Sequence, residues 1–236
     1  MTLLAICQDA AVEIGGFDVP NTIVGNTDIN ARRLLRAAQR VGSDLVTRAA
    51  WSVLRTQATF TAVPGEAQPG TVPSDFDRMI PETLWDRTNR MLIAGPVPSA
   101  RWQSLTATWP GNGPDRWFTL RGTAIAIFPG MQGGEAMAYE YVSRNFCETA
   151  AGIDQPRWTA DTDVERLPSE VFTLGVVAFF LQAQGLPYAD QMAAYEARVV
   201  RSLANDDPAS GVLSAGDMFG GQRNWTGTPS AGWGIW

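Results

Sequence analysis

The sequence predicts an α+β protein: a four-helix bundle formed by an N-terminal and a C-terminal helix pair, with a mostly antiparallel β region inserted between them. Three observations predict it. Apolar residues recur at three- and four-residue spacing towards both ends of the chain, which marks amphipathic or buried helices. The stretch between is rich in β-branched and aromatic residues broken by Pro and Gly, which marks short strands and turns. Neither helix pair can bury its apolar stripe alone, so the economical arrangement packs both pairs together and carries the strands in the connection. The bundle then takes residues 1–50 and 167–206, the inserted region 51–166, and an extended docking tail 207–236.

The first helix spans Leu3 to Ile14, with Leu3, Leu4, Cys7, Ala10, Ala11 and Ile14 on one face and Gly15-Gly16 as its stop. After a loop with Pro20 and Gly25, Thr27 or Asp28 caps a long second helix, each side chain being able to accept from an orphan amide of the first turn. That helix runs from about Ile29 to Ala50, roughly 33 Å at 1.5 Å per residue. Leu34, Leu35, Ala38, Val41, Leu45, Val46 and Ala49 face inwards, while Arg32, Arg33, Arg36, Arg40 and Asp44 take the other face. Trp51 to Val63 reads as a strand, and Pro64, Gly65, Pro69, Gly70 and Pro73 break the pattern after it. Shorter β pieces follow at Met79-Ile80, Thr83 to Trp85, Arg90 to Ile93, Trp117 to Arg121, Ala124 to Phe128 and Ala136 to Ser143. A brief helix starts after Pro98 (Ser99 to Leu105), and glycine turns at 111–113 and 130–134 look like hairpin connections. Helix returns at Ser169 to Ala183, apolar nearly all round and therefore central. Gly185 and Pro187 end it, and Tyr188 to Leu203 forms the last helix, with Met192, Tyr195, Val199 and Leu203 towards the core.

Two absences narrow the chemistry. The chain has no histidine, and all 18 basic residues are arginine. Histidine-dependent relays, His-bound zinc, the P-loop lysine and Schiff-base chemistry therefore have no residues to carry them. No residue stands out as catalytic, no cofactor or metal site is expected, and a non-enzymatic role is the expectation. The net charge of −6 opposes tight, sequence-independent DNA binding, which needs cations to displace condensed counterions. Cys7 and Cys147 read as buried free thiols. The N-terminal segment lacks a basic leader, and the most apolar run, Val171 to Leu181, falls short of the ~20 residues a membrane span needs. A soluble protein is expected.

The candidate sites are surfaces. Residues 207–236 hold seven glycines and no periodicity, yet carry Met218, Phe219, Trp225, Trp233, Ile235 and Trp236. Large aromatics on a segment that cannot form a core suggest docking on another subunit or partner, with folding back onto its own domain as the alternative. Arg32, Arg33, Arg36 and Arg40 form the second candidate: by default a solvated face, otherwise a site for phosphate or an inter-subunit contact with acids, towards which arginine tilts because guanidinium groups fork onto carboxylates. Asp75, Asp77 and Asp86, and Asp161, Asp163 and Glu165, read as turn formers and helix-terminal charges. The same acid-rich turns are the expected partners of the arginine face across an interface. A carboxylate-based glycan hydrolase would instead need two of these acids, Asp161 and Asp163 foremost, in one cleft.

Several stretches together resemble a known family. A helix ending in IGG, a V-P turn, GNTDINARRLLRAAQRVGSDLVTRAAW, then LRTQATFTAV, SDFDRMIPETLWDRT, YEYVSRNFC and LPSEVFTLGVVAFFLQAQGLPYADQMAAYEARV are similar to the head-to-tail adaptors of tailed phages. The resemblance is to the tail tubular protein A and tail accessory factor group, and covers about residues 3 to 204. It implies a helical bundle with an inserted β domain and assembly into a homo-oligomeric, commonly dodecameric, ring. Such a ring sits between a portal protein and a downstream nozzle or tail-tube protein in the virion neck. Its subunits are made in the host cytoplasm, double-stranded DNA passes through the lumen without specific binding, and no membrane is involved. C-terminal extensions in the family reach up to the portal, a role the tail would suit. Some relatives are linked to cell-wall cleavage, which keeps the glycan hydrolase as an alternative beside a host-contacting tail protein.

Overall fold

The structure is a computed structural model that describes residues 1–108 and 115–206. It is a mixed α+β fold with five α-helices and antiparallel sheets among the described residues. The first helix, α1 (Leu3–Ile14), has the expected bounds, and the Thr2 hydroxyl accepts from the Ala5 amide at its N-terminus. Its buried face is Leu3, Ile6, Cys7, Ala10 and Ala11, so Ile6 joins the stripe while Leu4 and Ile14 lie at its half-buried margin. Of the two cap candidates for α2 (Ile29–Arg48), Asp28 takes the role, accepting from the amides of Asn30 and Ala31. The helix stops at Arg48 rather than Ala50. Trp51 turns its buried indole back to donate to the Leu45 carbonyl at 2.8 Å, satisfying an end-of-helix acceptor that another turn would have claimed.

After a single 3₁₀ turn (Ser52–Leu54), β1 (Arg55–Thr61) begins later than the expected Trp51, because Trp51 belongs to the helical core. The segment β2 (Gly65–Gln68) forms where Pro and Gly had suggested only a break. It exists by tertiary pairing with β7 (Ala124–Met131), across a register shift between Gly65 and Ala67. The buried Gln68 amide also ties it back to the backbone of Val63 and Gly65. Short strands β3 (Phe76–Met79), β4 (Trp85–Asp86) and β5 (Met91–Leu92) fall near their expected places, and α3 (Ser99–Thr108) runs a turn beyond Leu105. The hairpin of β6 (Trp117–Arg121) and β7 pairs from Trp117↔Phe128 to Arg121↔Ala124. The long β8 (Ala136–Ser143) pairs with β1 along its length, from Thr61↔Ala136 to Arg55↔Val142, and with β3 and β4.

The glycine turn at 130–134 is not a hairpin. It carries the chain from the sheet β2-β7-β6 to the sheet of order β1-β8-β4-β5. The Glu135 carboxylate holds the corner by accepting from the amides of Gln132 and Gly133. A Cβ at Gly133 would lie 2.8 Å from the ring of Pro64, so the close approach requires glycine there. The second expected turn, 111–113, lies outside the described residues. The two sheets share one apolar core, with Phe118, Ile125, Ile127, Met137, Tyr139 and Tyr141 among its members.

A third sheet was not legible in the sequence: β9 (Cys147–Glu148) between β10 (Asp154–Gln155) and β11 (Val164–Glu165). Phe146, Cys147 and Trp158 from this part join the core of the helices. The helix α4 (Ser169–Gln184) is the centre of that core and packs against α1, α2 and α5 (Ala189–Asp206). Tyr195 and Val199 of α5 are buried, and Met192 and Leu203 pack against the same core. Gly175 allows this closeness. A Cβ there would meet Val41 at 2.7 Å and Tyr195 at 2.9 Å.

Candidate functional site

Several arginines pair with carboxylates inside the molecule. On the α2–α5 seam, Arg48 forks onto Glu196 at 2.5 and 2.8 Å and also reaches Asp44 at 2.6 Å, while the Tyr195 hydroxyl donates to Asp44 at 2.7 Å. Asp44, placed by sequence on the same polar face as the arginines, is thus an internal partner. Arg78 pairs with Asp77, Arg116 with Asp86, Arg166 with Asp154 and Arg198 with Glu170.

The arginine face behaves differently. Arg32, Arg33, Arg36 and Arg40 are exposed and come together along a groove of about 860 Å³ between α2 and the last turns of α4. Ile29, Leu35, Phe179 and Ala183 give it apolar walls. Arg40 lies over the Phe179 ring at 4.3 Å from the centroid, a cation–π contact that fixes one side of the groove. Among the described residues no carboxylate pairs with any of the four. The helix sets the spacing: Arg32, Arg36 and Arg40 follow each other by four residues, about 6 Å of rise each, on one side of α2.

The acid-rich turns, expected as partners of this face, are engaged internally. The Asp161 carboxylate accepts from the amides of Ile23 and Val24, at 3.1 and 2.7 Å, pinning the loop between α1 and α2. Its carbonyl and that of Asp163 receive the amides of Leu4 and Leu3, which are orphan donors of the first turn of α1. Asp163, 1% exposed, accepts from Thr159, Ala160 and Gln155. Burial works to raise its pKa, and those hydrogen bonds outweigh burial and hold it below the ordinary 3.8. Glu165 receives the Ser169 hydroxyl, Asp75 the hydroxyls of Tyr141 and Ser143, and Asp86 the amide and side chain of Asn89. Asp163 and Asp86 act as turn formers, while Asp161, Asp75 and Glu165 tie their segments to distant parts of the chain.

Sequence reasoning passed over two exposed acids on α1. Asp9 and Glu13 are exposed one turn apart, with Val12 between them 70% exposed, and neither acid has a partner among the described residues. The periodicity of α1 placed them on the outer face, but their freedom depends on contacts that only the fold reveals. The tail residues Met218, Phe219, Trp225, Trp233, Ile235 and Trp236 lie outside the described residues. Cys7 and Cys147 are free and wholly buried, as expected; burial pushes each thiol up to about 12, with Asp161 adding to the effect at Cys7 and Asp163 at Cys147. Among the described residues no helix is long and apolar enough to cross a membrane, and no group of three or more Cys, Asp or Glu is placed to hold a metal ion. Comparison of the chain with protein-family models and with curated proteins finds no match.

Proposed function

We propose that this chain is a structural connector subunit of a tailed bacteriophage, one copy of a ring beneath the portal that joins capsid to tail and lets DNA pass. In this reading α1, α2, α4 and α5 are a four-helix bundle, residues 51–166 are its inserted β-rich region, and 207–236 dock on the portal. The contact of α4 with three other helices and the separate apolar core of the β sheets support that division. The observation that carries the functional reading is the arginine row of α2. Several described arginines lack a carboxylate partner, but Arg32, Arg33, Arg36 and Arg40 stand together along one open groove. Residues with strong geometric demand for carboxylates, displayed in a row, suit a protein–protein contact repeated between identical subunits. The resemblance of the sequence to head-to-tail adaptors points the same way. The net acidic chain also suits a lumen through which DNA slides rather than sticks.

Negative-stain imaging of the full chain, alone and mixed with portal rings, tests this. A ring of uniform symmetry, free or seated on the portal, is the expected result. A chain that stays monomeric and ignores the portal overturns it.

One observation favours a host-contacting tail protein as a second reading. Trp85 is 43% exposed beside a hollow lined also by Glu82, Arg87 and Arg90, and Glu82 and Arg90 hold left-handed backbone conformations (φ 60° and 57°) that side chains rarely adopt. Trp85→Ala phage that assemble normally but fail to adsorb would favour it. A glycan-hydrolase role would require Asp161 and Asp163 to release the backbone amides they now hold.

A further inference from the structure

We propose that the groove beside α2 receives the outer face of α1 from a second copy of this chain, so that subunits join head to tail. The inference rests on the connector reading and names the contact within it. Three observations carry it. The groove presents Arg32, Arg36 and Arg40 at four-residue intervals, and the outer face of α1 presents Asp9 and Glu13 at the same interval. Two helices laid side by side can therefore pair a carboxylate with a guanidinium on successive turns, with the same rise of about 6 Å on each. The apolar parts match as well: Val12, between the two acids and 70% exposed, faces a groove walled by Leu35, Phe179 and Ala183, with Ile29 (53% exposed) at its mouth. A protruding branched side chain flanked by acids fits an apolar hollow rimmed by arginines, and desolvation by the apolar contact strengthens the pairs at its edge.

The third observation is topological. No residue of α1 lines the groove, so one chain carries the acidic ridge and the basic groove as separate surfaces. Two different patches that recognise each other make a heterologous contact, which closes into a ring or propagates, whereas an isologous contact stops at a dimer. The acids in the turns cannot replace Asp9 and Glu13 in this role, because their oxygens already receive internal donors.

Crosslinking and charge exchange on the full chain test the contact. In a Glu13→Cys/Arg36→Cys variant each chain holds one half of two bridges, so mild oxidation is expected to give a ladder of dimer, trimer and larger species. The native thiols are wholly buried and the single-cysteine variants are controls. Reversal at one patch, Asp9→Arg/Glu13→Arg or Arg32→Glu/Arg36→Glu, is expected to weaken self-association at least ~10-fold, since like charges then face each other. Mixing the two reversed proteins is expected to restore it, because each then offers what the other lacks. Wild-type oligomers whose cysteine variant gives only dimers or monomers, or whose reversals associate normally, overturn this contact and leave the ring reading standing. A wild-type chain monomeric both alone and with portal rings overturns both. So does a monomer that binds a DNA duplex and loses it on Arg32→Glu/Arg36→Glu, which would assign the groove to phosphate.

Discussion

At the scale of single residues, the buried titratable groups make two measurable claims. Cys7 and Cys147 sit where water cannot stabilise a thiolate, with thiols pushed up to about 12, and the thiolate is the reactive form. A thiol reagent at pH 8 is therefore expected to find no reactive cysteine in the folded chain and both in denaturant. Asp163 makes the second claim. Its folded carboxylate holds its proton more weakly than the unfolded one, so it contributes stability above about pH 4 and loses it as pH falls through the lowered folded value. Asp163→Asn is expected to cost about 1–3 kcal/mol at pH 7 by leaving the amides of Thr159 and Ala160 poorly satisfied, and to flatten the acid limb of stability. Urea titrations of both proteins between pH 3 and 7 check it; parallel acid limbs would show that Asp163 is not the titrating group.

At the scale of elements, two glycines set how closely helices approach. Alanine is the better helix former by about 1 kcal/mol, so Gly→Ala inside a helix stabilises unless the methyl has nowhere to go. At Gly175 the methyl meets Val41 and Tyr195, and at Gly42 it would lie 2.4 Å from the Phe146 ring. Phe146 is held by Trp158 and Phe172, so it cannot yield. Overpacking of this kind costs ~1–3 kcal/mol, which exceeds the helix gain. Thermal melts are expected to show both variants destabilised, Gly42→Ala the more. The helices themselves were legible because a stripe is a local pattern: α1 matches its expected bounds and α4 was readable as central from its apolar circumference. The strands were legible where β-branched and aromatic residues stood between turn residues, and less so elsewhere. β6 and β8 match their expected bounds, whereas β2 exists because the distant β7 pairs with it, and the two-residue strands β9, β10 and β11 are too short to show a period. The candidate site divides in the same way. Periodicity put Arg32, Arg33, Arg36 and Arg40 on one face, but which acids stay free for them depends on internal hydrogen bonds that no spacing encodes.

At the scale of the whole molecule, the described fold closes at Asp206, whose carboxylate accepts from the amide and hydroxyl of Ser52. Truncation after Asp206 keeps this clasp and is expected to leave the melting temperature within about 2 °C of the full chain, a loss under about 1 kcal/mol. Under the connector reading the same truncation is expected to abolish attachment to the portal, measured by co-sedimentation; normal attachment would remove the tail from that role. The central position of α4 has a further consequence, in time rather than in space. Its three helical partners lie on both sides of it in the chain, and about 120 residues separate the end of α2 from its start. At ~5–20 residues per second a ribosome needs roughly 6–24 s to bridge that gap. Throughout it, the apolar stripes of α1 and α2 are complete but have no α4 to cover them, while the β strands between can already pair. The nascent chain is thus expected to engage hydrophobic-binding chaperones through its first 50 residues, and to be released only once α4 has left the exit tunnel.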